Sequence, residues 1–257
     1  MLCLPYSPYS ERARWALDHH GLDYRLVRHD PFVGELRLRR LLAQRGVAAN
    51  AGSATVPVLL TNEETLCNSW DIVRHADAHG TATRLVPDAL LQPIAELTER
   101  ADAAMDHGRA LVAVALLARP AALDETLPPF VPGWVAPVLR PVTRHGARWF
   151  ARKYGIDPSV EAERRAERLE AMAGGIEAFE RRRSDGEYVL GTFSYADIVL
   201  ATMLQAVTPV DGRFIRLGPA TSKAWTLPEL AERFADTLRW RDGLYERHRA
   251  PARRRAS

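Results

Sequence analysis

The first 80 residues change hydrophobic period every few residues and the remaining two thirds do not, a contrast that limits the architecture more than any other feature of the chain. Leu2-Cys3-Leu4 reads as a strand, Glu11 to His20 as a helix stopped by Gly21, Tyr24 to Arg28 as a strand, and Glu35 to Arg45 as a helix. A loop rich in Ala, Gly, Asn and Ser leads to Val58-Leu59-Leu60, then Thr65-Leu66-Cys67, then a helix from Ser69 to Gly80. From Val86 onward only helical spacing appears. The longest run, Ala89 to Ala118, carries Leu90, Leu91, Ile94, Leu97, Ala101, Met105, Val112, Val114 and Leu116. Prolines at 120, 128, 129, 132, 137 and 141 predict a broken segment before a helix over Val142–Tyr154. Further helices are expected over Val160–Arg182, Tyr195–Val207 and Pro228–Arg247, the last capped by Thr226. The expected organisation is an α/β unit over 1–80, a linker over 81–88, and an all-helical unit over 89–257.

Composition narrows the partners. With 257 residues and 47% hydrophobic side chains the chain can bury a substantial core. Its net charge of +3 invites a nucleic-acid reading, but the excess comes from five arginines after Glu246, in a terminus with no acidic residue. The rest is close to neutral, so no nucleic-acid partner is expected and the tail reads as solvated and frayed. Cys3 and Cys67 fall in expected buried strands and suggest no disulfide framework. No leader pattern and no run of 18 apolar residues is present, which points to a cytoplasmic protein without a membrane span.

The residues with chemical promise sit where strands hand over to helices. Ser7-Pro8-Tyr9-Ser10 forms a turn with the spacing of a Cys-X-X-Cys redox motif, but with hydroxyls in place of thiols. Redox cycling is excluded. A hydroxyl at the positive end of a helix can instead donate to a thiolate brought by a ligand. Pro57 heads an apolar run where a ladder N–H is not needed. Ser69 ends a short strand and is expected to cap the next helix, making an anion pocket of its hydroxyl and free amides. Ser194 and Asp197 have the spacing of a capping box, a folding feature rather than a site.

Ser7-Pro8-Tyr9 followed by Arg12-Ala13-Arg14, Val56-Pro57, Asn68-Ser69 and Ser194-X-X-Asp197 together resemble cytosolic glutathione transferases of the serine-type classes. The four matches lie in order across about two thirds of the chain. The resemblance implies a thioredoxin-like N-terminal domain joined to an all-helical domain, with glutathione as co-substrate, a small hydrophobic electrophile as second substrate, no metal, and a two-fold homodimer. It implies a cis Val56–Pro57 bond, a Val56 backbone free to pair with the peptide, and Ser69 holding the γ-glutamyl end. Asn68 stands where the family has an acidic residue, so the contact to the glutathione ammonium loses its charge or comes from another group. The thiol would be activated by Ser7, with Tyr6 and then Ser10 as alternatives. The rival implication is a non-catalytic ligand-binding protein on the same fold.

The remaining candidates read as structural. Arg140, Arg144, Arg148 and Arg152 recur every four residues beside Val138, Leu139, Val142, Trp149 and Phe150, which fits a membrane-surface or anion-binding helix but is read first as a solvated stripe opposite a buried face. His75 and His79 have a zinc-compatible spacing without further ligands. His19 and His20 fall in a last helical turn, where a cation suits the dipole.

Overall fold

A computed structural model describes residues 1–30, 34–47, 54–127, 131–183 and 186–249. Strands β1 (Leu2–Cys3), β2 (Val27–Arg28), β3 (Leu59–Leu60) and β4 (Thr65–Leu66) are short, and helices α1 (Pro8–His19), α2 (Glu35–Gln44) and α3 (Ser69–His79) alternate with them. β1 pairs in parallel with β2 and, through a Leu2–Val58 bridge, antiparallel with the entry to β3, while β3 pairs antiparallel with β4. The strand order is therefore β2-β1-β3-β4. β1 is held on both sides, with the Val27 N–H on the Met1 carbonyl at 2.8 Å and the Leu2 N–H on the Val58 carbonyl at 2.7 Å. Two residues of strand are enough here because each backbone group has a partner.

The helical part comprises α4 (Leu91–Leu117), α5 (Pro120–Asp124), α6 (Ala136–Lys153), α7 (Pro158–Glu163), α8 (Arg165–Arg183), α9 (Tyr195–Met203), α10 (Pro219–Trp225), α11 (Pro228–Arg233) and α12 (Ala235–His248). α9 is buried along its whole length, so it reads as apolar all round, and α1, α4 and α12 pack around it, with α8 packed against α4. A single apolar cluster runs from Trp15 and Leu17 of α1 through Ile72 and Val73 of α3 to Leu97, Phe179 and Leu200. Asp77 joins the two parts: its carboxylate accepts the Leu85 and Val86 N–H groups, each at 2.8 Å, and meets His20 Nε2 at 2.7 Å. His20 packs so close to Gly80 that a Cβ there would sit 2.2 Å from it. Gly21, at φ 65°, lets the chain leave α1 in the left-handed region.

Several expectations need correcting. α1 starts at Pro8, three residues earlier than the apolar spacing suggested, because proline at the first helical position needs no N–H partner. α6 starts at Ala136 and runs through Pro141, whose missing N–H would have faced the carbonyl of Pro137. Val138, Val142 and Trp149 of that helix are exposed rather than buried. The helix expected from Pro228 to Arg247 breaks at Phe234, and α10 before it was not foreseen; Thr226 ends α10, and Leu227 precedes α11. The terminus is not frayed as far as Arg249, which is buried and ion-paired with Glu11 at 2.7 Å and Asp18 at 2.6 Å. Cys67 lies just after β4 and is half-buried, while Cys3 is buried; both are free thiols. Pro128, Pro129 and Arg253 to Arg255 lie outside the described residues.

Candidate functional site

The strand pairing decides which residues meet. β3 runs against β1, and β4 against β3 with Leu66 opposite Leu59. The C-terminal ends of β1 and β4 and the N-terminal end of β3 therefore lie at one end of the sheet. Ser7 follows the first, Asn68 and Ser69 follow the second, and Val56-Pro57 leads into the third. The residues singled out in three separate stretches of sequence are brought to one place.

Ser7 is the N-cap residue of α1, with extended backbone at φ −74° and ψ 128°. Its N–H donates to the Leu4 carbonyl and its own carbonyl accepts the Glu11 N–H, both at 2.9 Å. Its hydroxyl makes no capping bond and is half-buried at the helix entrance. A donor placed there faces the unpaired amides and positive end of the helix, where negative charge is favoured. Ser10 differs: it is fully buried, and its Oγ accepts the Leu4 N–H at 3.2 Å. Tyr6 stands edge-on to Trp225 with ring centroids 6.0 Å apart. Burial raises the Tyr6 phenol pKa, with Arg28 opposing and Asp30 adding to that shift.

The Val56–Pro57 bond is cis. No described residue hydrogen-bonds the Val56 N–H or C=O, so both are open to an extended chain laid alongside. At α3 the cap is Asn68 and not Ser69. Asn68 Oδ1 accepts the Asp71 N–H at 2.7 Å, and its Nδ2 donates to Asp71 Oδ2 at 2.7 Å. The pair is exposed and carries the negative charge that Asn68 by itself lacks. Ser69, displaced to the first helical position, is buried at 7% exposure and adds its free N–H to the helix entrance.

Sequence reasoning picked out Arg12 only as part of a motif and overlooked its partners. Arg12 is fully buried, donating from Nε to Thr202 Oγ1 at 3.1 Å and from Nη1 to Asp102 at 2.6 Å, with the Tyr9 ring 4.8 Å from its guanidinium carbon. Burial opposes its charge, but Tyr195, Asp102 and Tyr9 hold its pKa above the ordinary value. The Tyr195 hydroxyl lies beside Ser69 and Arg12 without hydrogen-bond geometry to either. Thr202 and Asp102 are 190 and 90 residues away from Arg12, so no local pattern could have shown the cluster.

The histidines take structural partners. His75 Nδ1 meets Glu64 at 2.8 Å and its ring stacks on His79. Among the described residues no three His, Cys, Asp or Glu side chains converge on a metal position. His19 is not the cation expected in the last turn: burial lowers its pKa, and its Nε2 meets the Thr83 carbonyl at 2.9 Å. A cavity of about 860 Å³ lies between α4, α7, α10 and α11, and none of the candidate residues lines it.

Residues 3–82 match the family model of the glutathione S-transferase N-terminal domain, and residues 162–243 match that of the C-terminal domain. The chain belongs to the glutathione S-transferase superfamily. Its fold is the thioredoxin-like domain plus all-α domain of that superfamily. It is similar to a glutathione S-transferase domain-containing protein of Marinobacter aquaeolei, at 18% identity over 96% of this chain and 97% of that one, with a TM-score of 0.58. A glutathione S-transferase of Methylobacillus flagellatus, solved with GSH bound, is 17% identical over 98% of both chains at a TM-score of 0.57. A glutathione transferase of Phanerochaete chrysosporium is 16% identical over 97% and 93%, at 0.59. At these identities the likeness is one of fold. None of the curated proteins matches the sequence.

Proposed function

We propose that the chain is a glutathione transferase of the serine type, in which the Ser7 hydroxyl holds the glutathione sulfur as a thiolate for attack on a hydrophobic electrophile. The observation that carries this reading is the uncommitted Ser7 hydroxyl at the start of α1, at the same sheet end as Val56 and the α3 entrance. Family membership and a GSH-bound relative of the same fold support it. Glutathione would lie across that end, its peptide paired with the Val56 backbone, its γ-glutamyl carboxylate on the amide and hydroxyl of Ser69, and its ammonium on the Asn68–Asp71 pair.

An unperturbed thiol near pKa ~8.5 is only a few per cent ionised at neutral pH. A hydrogen bond to a charged group, worth about 1.5–3 kcal/mol, lowers that pKa by roughly one to two units. Ser7 supplies the bond and the α1 entrance supplies the field. The thiolate sulfur then bonds to the electrophilic carbon, and the displaced group leaves with the electron pair or, in an addition, the adjacent atom takes a proton from water. Tyr6 is the second choice as donor, since burial raises its own pKa and keeps the phenol protonated. Ser10 comes third because its oxygen is committed to Leu4. The assembly would be a homodimer.

Calorimetric titration with glutathione, followed by turnover on a panel of electrophiles, tests this reading. A second reading is favoured by the 860 Å³ cavity, which is lined by apolar Leu111, Val114 and Ala115 and by none of Ser7, Tyr6 or Ser10. It is a ligand-binding role without catalysis. Bound glutathione with no conjugation of any electrophile would select it.

A further inference from the structure

The residues between Thr126 and Asp157 include no acidic side chain and five cationic ones, and they hold the two most exposed large apolar side chains among the described residues. Trp134, in the short turn leading to α6, is 81% exposed, Val138 is 74% and Val142 is 67%. Trp149 is exposed as well. At 100° per residue, Val138, Val142 and Trp149 fall within one arc of about 40° along α6. Arg144, Arg148 and Arg152 occupy the adjoining arc, also exposed, and among the described residues none of the three has an ion-pair partner. The other two cations of the helix are used in holding it down: Arg140 pairs with Asp124 at 2.7 Å, and Lys153 bridges to Glu35 of α2 at 2.8 Å. α6 is thus anchored at both ends by its paired cations, while its outer side presents apolar groups and free guanidinium groups to solvent.

We propose that this face of α6 docks on the surface of an anionic lipid bilayer, with the helix lying in the interfacial plane. Leaving Trp and Val in water is unfavourable unless something covers them. The cover must accept a narrow apolar ridge and a row of positive charge on one convex helix, which suits acyl chains and anionic headgroups side by side. Tryptophan prefers the headgroup level, and the two tryptophans stand at opposite ends of the face. No described helix is long and apolar enough to cross a membrane, so the contact is peripheral. The attraction is local, because outside this segment and the terminal arginines the chain carries 25 basic against 32 acidic side chains and is net negative.

Sedimentation of the full chain with vesicles of phosphatidylcholine alone, or of phosphatidylcholine mixed with phosphatidylserine, tests the proposal. Binding is expected only to the phosphatidylserine vesicles and should weaken as salt is added. The Arg144→Gln/Arg148→Gln pair should lower the partition coefficient roughly thirtyfold, at a few-fold for each arginine near the surface. Val138→Asp/Val142→Asp should abolish binding with the circular-dichroism melt unchanged, and truncation after Arg249 should leave it in place. Four results would each overturn the proposal: no sedimentation with either vesicle, equal sedimentation with both, loss of binding on removal of the tail, or α6 variants that bind like the wild type. A Val138→Asp/Val142→Asp protein that changes its oligomeric mass and not its vesicle binding would assign the face to a second copy instead.

Discussion

At the scale of single residues, the binding chemistry depends on which groups are already occupied. Ser7, Ser10, Pro57 and Ser69 were legible as candidates from turn and cap chemistry, and Tyr6, Val56 and Asn68 only through the family resemblance; what each group is free to do is decided by partners elsewhere in the chain. Ser10 spends its oxygen on Leu4, and Asn68 takes the cap and recruits Asp71. The charge missing at position 68 is thus restored one helical turn along. Asp71→Asn should weaken glutathione binding about tenfold or more in a calorimetric titration, since a charge-assisted bond is worth roughly 1.5–3 kcal/mol. Asn68→Asp should bring little gain, because it would place a second carboxylate against the first. A fully retained affinity in Asp71→Asn would move the ammonium elsewhere. Ser69→Ala should cost a similar factor through the carboxylate end of the ligand.

At the scale of elements, the helix starts were readable wherever the cap is local. Ser194 and Asp197 form the expected box: the Asp197 carboxylate accepts the Ser194 N–H at 2.8 Å, the Val189 N–H at 2.8 Å and the Ser194 hydroxyl at 3.1 Å. Burial nevertheless raises the Asp197 pKa to about 6, against the pull of those three donors. A carboxyl with a higher pKa in the folded state than in the unfolded chain favours folding most below its unfolded value, and that contribution is lost as pH rises through the folded value. Stability of the wild type relative to Asp197→Asn, from urea unfolding, should therefore fall between pH about 4 and about 6. Parallel pH profiles for the two proteins would contradict this. The elements that sequence left out are those held from a distance. α6 tolerates Pro141 because ion pairs to α2 and α5 fix it, and the short α10 packs its Trp225 on Tyr6. Arg249 looked like part of a disordered basic tail because Glu11, its partner, is 238 residues away. Burial acts against the Arg249 charge, and Glu11 and Asp18 outweigh it. Arg249→Ala leaves Glu11 buried without that charge and should cost about 3–5 kcal/mol, a drop in Tm of roughly 6–20 °C.

At the scale of the whole molecule, α1 is the piece on which everything converges. Its entrance carries Ser7, Arg12 ties it to α4 and α9, Trp15 donates to the His248 carbonyl at 3.0 Å, and Glu11 and Asp18 hold Arg249. A hydroxyl on so restrained a helix keeps its position without help from a ligand. The α/β unit and the helical remainder were readable from the change of hydrophobic period, whereas their mutual clamping through α1 was not. Of the apolar residues over Ala89–Ala118, Ile94 and Val112 are buried within the chain, whereas Leu90, Leu91 and Val114 lie toward the surface. Light scattering at micromolar concentration should still give twice the 28.7 kDa chain mass if the family arrangement holds, and a mass of one chain would remove the dimer while leaving Ser7 in place. The central claim, a thiol activated by Ser7, is tested most directly by the absorbance of the thiolate against pH with glutathione bound to wild type, Ser7→Ala and Tyr6→Phe proteins. The expected result is a bound thiol about one to two pKa units below its free value in the wild type and in Tyr6→Phe, returning toward ~8.5 only in Ser7→Ala. A shift that survives in Ser7→Ala and disappears in Tyr6→Phe would contradict it.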